Sequence, residues 1–243
     1  MKFQDLFNGR FYNEDCFEAM KEIPDGCIDM ILADLPYGTT QNKWDSVLDL
    51  EKLWKEYWRV CKASAVVVLT ATQPFSSAVT MSDINNFKYQ WIWVKSKITG
   101  VLNAKKMPVR KHEQILVFYR QPCIYNAQDL EVKGTITKQG GNSDNYGDRS
   151  SDDYIQEFTN WPRDVLEIKS NGKSIHPTQK PVALFEYLIK TYTNEGDLVL
   201  DNTAGSGTTA IAAINTNRKW VCIEKETEYY DKAIQRIIQH RFK

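Results

Sequence analysis

The chain alternates between short, continuous apolar runs and segments in which apolar residues recur every three to four positions. Apolar runs rich in β-branched and aromatic residues occupy 28–33, 65–69, 89–94, 115–119, 198–200 and 220–223. Helical periodicity covers 50–58, 181–193, 208–214 and 226–239. A continuous apolar run is typical of a strand that is buried on both faces. Such strands alternating with helices predict an α/β fold with a mostly parallel sheet covered on both sides.

One region, 122–173, interrupts this pattern. It is rich in Gly, Asp, Asn and Ser and has little apolar periodicity. We interpret it as an insertion, largely loop, at the ligand-facing edge of the sheet, because binding loops concentrate there. The remaining residues, 1–121 and 174–243, are predicted to form the main domain.

Composition excludes several classes of protein. Hydrophobic residues make up 42% of the 243, enough for a large core, but no apolar run is long enough to cross a membrane. The polar start, 1–5, does not resemble a signal peptide. Five cysteines without a Cys-x-x-Cys pair argue against a disulfide framework and a zinc site. We therefore expect a cytoplasmic protein with no metal site.

Charge is balanced over the whole chain but uneven along it. Lys and Arg together number 31, as do Asp and Glu, so there is no global attraction to nucleic acid. The segment 95–111 has no acidic residue. This basic run could follow a phosphate backbone, although a solvated loop explains it equally well. Its basic residues are Lys95, Lys97, Lys105, Lys106, Arg110 and Lys111.

The first candidate site follows the 28–33 run, where the chain reads Asp34, Leu35, Pro36, Tyr37. Ligands of open α/β sheets bind at the carboxyl ends of strands. The Asp34 carboxylate and the Leu35 carbonyl can accept both protons of an amino group on a flat base, and Tyr37 can stack on that base. Pro36 makes the turn rigid. An ordinary turn after a strand is the alternative.

The second candidate site follows the 198–200 run, where Asp201 leads into a turn containing Gly205 and Gly207. Such a turn lets the backbone approach a nucleoside, and Glu224, about 20 residues later, is placed to bind ribose hydroxyls. The carboxylate of Asp201 disfavours a pyrophosphate and suits a cation such as a sulfonium, which indicates S-adenosylmethionine. A purely structural turn is the alternative. The predicted contacts are Asp201, Ala204, Gly205, Ser206, Gly207, Thr208 and Glu224.

A third motif, 176–181, opens the helix predicted at 181–193. Free N–H groups at a helix N-terminus bind carboxylates, and a lysine adds positive charge. We expect His176, Thr178 and Lys180 to bind the methionine carboxylate of the cofactor. Thr178 as a helix cap, with Pro181 in the first turn, is a structural reading compatible with this one.

Together these motifs resemble the beta class of DNA amino-methyltransferases. In that family the catalytic Asp-Pro-Pro-Tyr-type motif comes first, a target-recognition insertion follows, and the cofactor motif lies near the C-terminus. Positions 34–37, 176–181 and 201–207 match three family motifs in this order, and weaker echoes occur at 13–16, 72–75, 93–95 and 112–113. The resemblance implies a doubly wound, seven-stranded-type, Rossmann-like methyltransferase sheet, with Asp15 and Cys16 at the cofactor pocket.

Two departures from the family pattern change what is expected. Leu35 replaces the first proline, but its carbonyl still serves as an acceptor. Asn202 and Thr203 replace a Pro-Phe pair, which removes an aromatic ring that would pack on the adenine of the cofactor.

The resemblance implies methyl transfer from S-adenosylmethionine to N6 of an adenine flipped out of double-stranded DNA. It also makes 95–111 a DNA-contacting loop. N4 of cytosine is the nearest alternative target; protein glutamine or RNA methylation and a non-catalytic DNA-binding module with a decayed cofactor pocket are the others. A homodimer and a cognate restriction endonuclease are partners that the sequence leaves open.

Overall fold

The computed structural model describes residues 3–38, 47–137, 154–169 and 179–242. Two compact units make up the chain: Met1–Asn126 together with Asp164–Lys243, and Ala127–Arg163. None of the helices in the described ranges is long and apolar enough to cross a membrane.

The strands and helices are as follows. The strands are β1 Phe3–Leu6, β2 Gly9–Asn13, β3 Ile28–Asp34, β4 Cys61–Ala71, β5 Phe87–Thr99, β6 Arg110–Tyr119, β7 Glu131–Thr137, β8 Tyr154–Thr159, β9 Val165–Leu166, β10 Leu198–Asp201 and β11 Lys219–Glu224. The helices are α1 Cys16–Met20, α2 Leu50–Val60, α3 Phe75–Ser82, α4 Val182–Tyr192, α5 Thr208–Asn215 and α6 Thr227–Arg241, with a 3₁₀ turn at Val101–Asn103.

The first unit is built on one sheet with the strand order β1-β2-β11-β10-β3-β4-β6-β5-β9. Neighbours from β2 to β4 run parallel, and so do β5 and β9. β1 is antiparallel to β2, and β6 is antiparallel to both β4 and β5. The predicted α/β class with a mostly parallel, doubly wound sheet is confirmed. Nine described strands take part, because β1 and β9 extend the two ends of the sheet.

Both faces of this sheet are buried under helices. Consecutive side chains of a strand point to opposite faces, and Ile31 and Leu32 of β3 accordingly belong to two different core clusters. One cluster packs against α4, α5 and α6, and the other against α1, α2 and α3. This two-sided burial explains why the central strands read as continuous apolar runs.

Local periodicity found the long elements and missed the short ones. All six predicted strands and all four predicted helices are present, with ends that differ by a few residues. β1, β2, β9, α1 and α3 were not predicted; they have two to eight residues, and elements this short carry little periodic signal.

The second unit contains an antiparallel pair, β7 with β8. The sequence did not predict these two strands, and the reading of 122–173 as an insertion stays a prediction. The second unit is shorter than the predicted insertion, 122–173, because both ends of that region belong to the first unit. At one end, Asn126 donates from its backbone N–H to the Thr191 carbonyl at 2.7 Å, and at the other β9 pairs with β5. Its role in target recognition stays a prediction.

Candidate functional site

Four adjacent parallel strands end in polar residues at one edge of the sheet. Asn13 is paired with Glu224 at the ends of β2 and β11, and Asp201 and Asp34 end β10 and β3. β10 and β3 are direct neighbours, with Leu200 opposite Ile31. The carboxyl ends of parallel strands form the ligand edge of such sheets. Residues far apart in sequence are thus collected along one line.

The acidic turn and the glycine turn touch each other through Thr203. Its hydroxyl donates to the backbone carbonyl of Asp34 at 3.1 Å, and its backbone N–H donates to Asp201 Oδ1 at 3.1 Å. One threonine, at a position where the family pattern has an aromatic residue, therefore joins the two candidate sites. This contact was not predicted from the sequence.

The Asp34 carboxylate is held from three directions. Its Oδ1 accepts from the hydroxyls of Tyr37 and Thr70, and Thr70 stands opposite Asp34 on β4. Its Oδ2 accepts from Lys180 Nζ at 2.6 Å. A carboxylate offers about four lone-pair sites. Among the described residues, the contacts of Oδ2 leave one of those sites for a further donor.

Lys180 belongs to a buried chain of alternating charges. Its Nζ lies 2.6 Å from Asp34 Oδ2 and 3.2 Å from Glu113 Oε2, and Lys95 Nζ lies 3.1 Å from Glu113 Oε1. Lys180 is 6% exposed and Lys95 is 7% exposed. Two ammonium groups and two carboxylates thus neutralise one another in a protected environment, where removal of one partner is costly.

The ionisation of this chain follows from its geometry. Burial raises the pKa of Glu113, but the ammonium groups of Lys180 and Lys95 outweigh burial and hold that pKa below its ordinary value. Burial lowers the pKa of Lys180, yet Asp34, Tyr37 and Glu113 together hold it well above its ordinary value. Lys180 is therefore a permanent cation at neutral pH.

These contacts differ from two of the sequence predictions. Lys180 was assigned to the carboxylate of the cofactor, whereas its ammonium is bound to Asp34 and Glu113. Lys95 was assigned to DNA, whereas it is buried against Glu113 and Thr99. Local sequence patterns did not reveal these long-range partners, and the assignments of Lys180 to the cofactor and of Lys95 to DNA stay predictions. The predicted contacts His176 and Thr178 lie outside the described residues.

The other residues of the acidic turn divide between core and surface. The Leu35 side chain is buried in the cluster under α1–α3, and Pro36 is half-buried. The Tyr37 ring lies 5.2 Å from that of Phe75, centroid to centroid, at 33°. Burial, aided by the Asp34 charge, raises the pKa of Tyr37 well above its ordinary value, so its hydroxyl remains a donor.

The glycine turn is held by buried hydroxyl and carboxylate groups. Asp201 accepts from the Thr209 hydroxyl as well as from Thr203. Gly207 has φ +71°, and a Cβ there would approach Ile237 Cδ1 at 3.1 Å, so a side chain at this position is strained and crowded. Gly205 also has positive φ. The turn therefore depends on glycine for its backbone conformation.

Asp201 is buried beneath this turn, with 3% of its surface exposed. Burial raises its pKa to about 7, against the lowering effect of the hydrogen bonds from Thr209 and Thr203. The predicted neighbours Ala204, Ser206 and Thr208 are buried as well. Close to neutral pH, Asp201 is thus a carboxylate whose charge depends on what binds nearby.

Arg236 of α6 supports the same turn and was missed in the sequence. It donates to the Ser206 carbonyl at 2.8 Å and to the Thr208 hydroxyl at 3.1 Å. Burial lowers its pKa. The signal in the sequence that could have identified Arg236 was its place in the helix predicted after the last strand.

Glu224 ends β11 beside the glycine turn, as predicted. Its Oε2 accepts from the Gly205 N–H at 2.9 Å and its Oε1 from the Glu226 N–H at 2.8 Å. A carboxylate offers about four lone-pair sites, so these contacts leave Glu224 some acceptor capacity for a hydroxyl donor. Burial raises the pKa of Glu224.

The start of α1 lies at the same edge. Asp15 caps this helix by accepting from the Phe17 N–H at 3.0 Å, and Glu14 donates its N–H to the Glu224 carbonyl at 3.2 Å. Cys16 is buried, and burial raises its pKa to about 11, so it is an unreactive thiol. Asn202 accepts from the Tyr57 hydroxyl at 2.5 Å.

The remaining basic residues of 95–111 are exposed. Lys97, Lys105, Lys106, Arg110 and Lys111 lie on the ends of β5 and β6 and on the connection between them. Within the described ranges, no group of three His, Cys, Asp or Glu side chains is arranged to hold a metal ion.

Comparison with known proteins finds similarity along most of the chain. The family model described as DNA methylase matches residues 28–235. Type II methyltransferase M.HpaI of Haemophilus parainfluenzae is 26% identical over 94% of this chain and 74% of that protein. DNA adenine methyltransferase YhdJ of Escherichia coli K12 is 28% identical over 94% of this chain and 84% of its own length.

Solved structures agree with the fold. The complex of M1.HpyAVI with SAM superposes with a TM-score of 0.66 at 26% identity, covering 94% of this chain and 99% of that one. The cytosine-N4-specific PvuII DNA methyltransferase reaches a TM-score of 0.67 over 96% of this chain and 91% of that one. Its identity of 16% makes it a likeness of fold alone.

Proposed function

Because this chain belongs to the N6/N4 DNA methylase family, a family of DNA methyltransferases that use S-adenosylmethionine, we propose that it methylates N6 of adenine in double-stranded DNA. The observation that carries this proposal is the contact between the two turns, in which Thr203 joins the Asp34 backbone to the glycine turn. An acceptor for an amine and a site for a nucleoside then share one edge.

The residues at this edge fit S-adenosylmethionine. When bound, that molecule supplies a methyl group already activated by a sulfonium. Glu224 retains acceptor capacity for ribose hydroxyls, and the backbone at Gly205 is free of a side chain. Asp201 has a pKa of about 7, and a positive charge nearby would favour the ionised form of its carboxyl group. Asp15 and Cys16 border the same end of β11.

Asp34 is proposed to bind and orient the target amine. The amine of adenine is a weak nucleophile because its lone pair is delocalised into the ring. Oδ2 of Asp34 and the carbonyl of Leu35 would accept its two protons and direct the lone pair out of the ring plane. Rate enhancement then comes mainly from positioning and fixed dipoles. An Asp rather than a Ser at this position favours adenine over cytosine in the resembling family.

Lys180 also has a role in this proposal. Its ammonium lies on the same oxygen, Oδ2, that would receive the amine proton. Lys180 holds the Asp34 carboxylate in position before the base arrives, and it can shift toward Glu113, already 3.2 Å away, as the amine binds. The charge of the cluster is conserved in this exchange, so no buried group becomes unpaired.

The target base must leave the duplex to reach Asp34. Tyr37, whose ring is supported on one side by Phe75, is proposed to stack on it. The unit Ala127–Arg163 is proposed to contribute to target recognition. A second copy of the chain and a restriction endonuclease remain predicted partners.

Mass spectrometry tests the proposal. Unmethylated duplex DNA is incubated with the protein and S-adenosylmethionine and then digested to nucleosides. N6-methyldeoxyadenosine is the expected product. N4-methyldeoxycytidine alone would move the target to cytosine, and methyl transfer to RNA but not to duplex DNA would overturn the proposal.

A further inference from the structure

The ends of β5 and β6 extend beyond the rest of the sheet. Ala71, the last residue of β4, is paired with Gln114, whereas β6 begins four residues earlier, at Arg110. At about 3.4 Å per residue, the paired strands project about 14 Å past the end of β4. We call residues 96–111 the β5–β6 arm.

This arm projects from the edge that holds Asp34. β3 and β4 are parallel, with Asp34 opposite Thr70, and the start of antiparallel β6 lies at the carboxyl end of β4. The base of the arm is fixed beside the site, because Lys95 binds both Thr99 and Glu113, and Glu113 contacts Lys180. A partner bound at the site therefore meets the arm.

The tip of the arm is apolar and exposed. Leu102 is entirely exposed in the 3₁₀ turn, and its neighbour Val101 is 58% exposed. Ile98 and Met107 are about half exposed. Clustered apolar side chains on a projecting tip mark an interaction surface rather than ordinary surface scatter.

The charge around the tip defines the kind of partner. The arm that holds these apolar residues contains no acidic residue and five exposed basic ones: Lys97, Lys105, Lys106, Arg110 and Lys111. In a chain with no net charge, this local excess favours a polyanion. Leu, Ile and Met side chains framed by cations are the groups with which proteins wedge open base steps in DNA.

We propose that the β5–β6 arm inserts Leu102 into the base stack of duplex DNA and occupies the space left by the flipped target. This inference rests on the proposed function. The lysines would bind phosphates on either side of the wedge, and Leu102 would replace the stacking lost when the base rotates out. Leu102 would thereby stabilise the flipped state without touching the reacting atoms.

The test compares Leu102→Ala with Met81→Ala, a truncation of an apolar residue that is 67% exposed on α3. The duplex contains the methylated site mapped in host DNA, with adenine either paired to thymine or mismatched. Single-turnover rates are measured on both, and 2-aminopurine fluorescence at the target position reports flipping. A mismatched base costs less to extrude.

Leu102→Ala should slow methylation of the paired duplex about tenfold or more, the effect of roughly 1.4 kcal/mol on a barrier. The mismatch should restore most of that rate, 2-aminopurine fluorescence should fall, and Met81→Ala should match the wild type. Equal rate losses on both duplexes, or no loss on either, would overturn the proposal that Leu102 acts as a wedge. A shift from dimer to monomer in sedimentation with equal losses would make the tip a protein interface instead. Absence of adenine methylation by the wild type would instead refute the proposed function.

Discussion

Glu113 gives the sharpest test of the buried charge chain. It lies between two ammonium groups, 3.1 Å from Lys95 Nζ and 3.2 Å from Lys180 Nζ, and only 13% of its side chain is exposed. Glu113→Gln preserves the size of the side chain and removes its charge. The cluster then holds two buried ammonium groups and one carboxylate, Asp34, and one positive charge is left without compensation.

Breaking a buried pair by removing one partner costs about 3–5 kcal/mol. For a chain of this size, 1 kcal/mol corresponds to about 2–4 °C in the unfolding midpoint, so the lower bound of 3 kcal/mol predicts a decrease of about 6–12 °C. Thermal unfolding at pH 7, followed by circular dichroism, measures it. Glu228→Gln is the matched control, because Glu228 forms the exposed ion pair with Lys232 and should leave the midpoint unchanged.

The pH dependence gives an independent check. The folded pKa of Glu113 lies below its unfolded value, so its stabilisation is present above the unfolded pKa of about 4.3 and is lost as pH falls through the folded pKa. The difference in unfolding midpoint between the wild type and Glu113→Gln should be largest at pH 7 and should shrink below about pH 4. A Glu113→Gln protein as stable as the wild type at pH 7 would refute the argument that the charges depend on one another.

Three further predictions concern the site. Asp34→Ala should abolish methyl transfer while calorimetry still detects binding of S-adenosylmethionine; loss of both would make Asp34 a structural residue. Asp201, with a folded pKa of about 7 against an unfolded value of about 3.9, should reduce folding stability as pH rises between these values. Asp201→Asn should therefore make the unfolding midpoint less dependent on pH between about pH 4 and pH 7, and an unchanged slope would contradict the burial argument. Lys105→Ala combined with Lys106→Ala should weaken DNA binding equally across sequences and reduce the salt slope by about 2; unchanged affinity would remove these lysines from the interface.

Several features of the molecule were determined by local sequence. The central strands are buried on both faces, and this requires continuous apolar runs that can be read directly from the chain. Polar motifs directly after those runs had to lie at strand ends, and parallel strands bring their carboxyl ends together. The candidate site around Asp34 and Asp201 was therefore predictable, together with the α/β fold.

Only the tertiary structure decided which charges meet. Lys180 reaches Asp34 across 146 residues of sequence, and Glu113 faces Lys95 because β6 lies between β4 and β5. A lysine in a basic run looks exposed when only its neighbours in sequence are considered. Strand order and register place Lys95 beside an acid and leave Lys97 in solvent. Periodicity determines which face a residue occupies, whereas pairing between distant strands determines what lies opposite it.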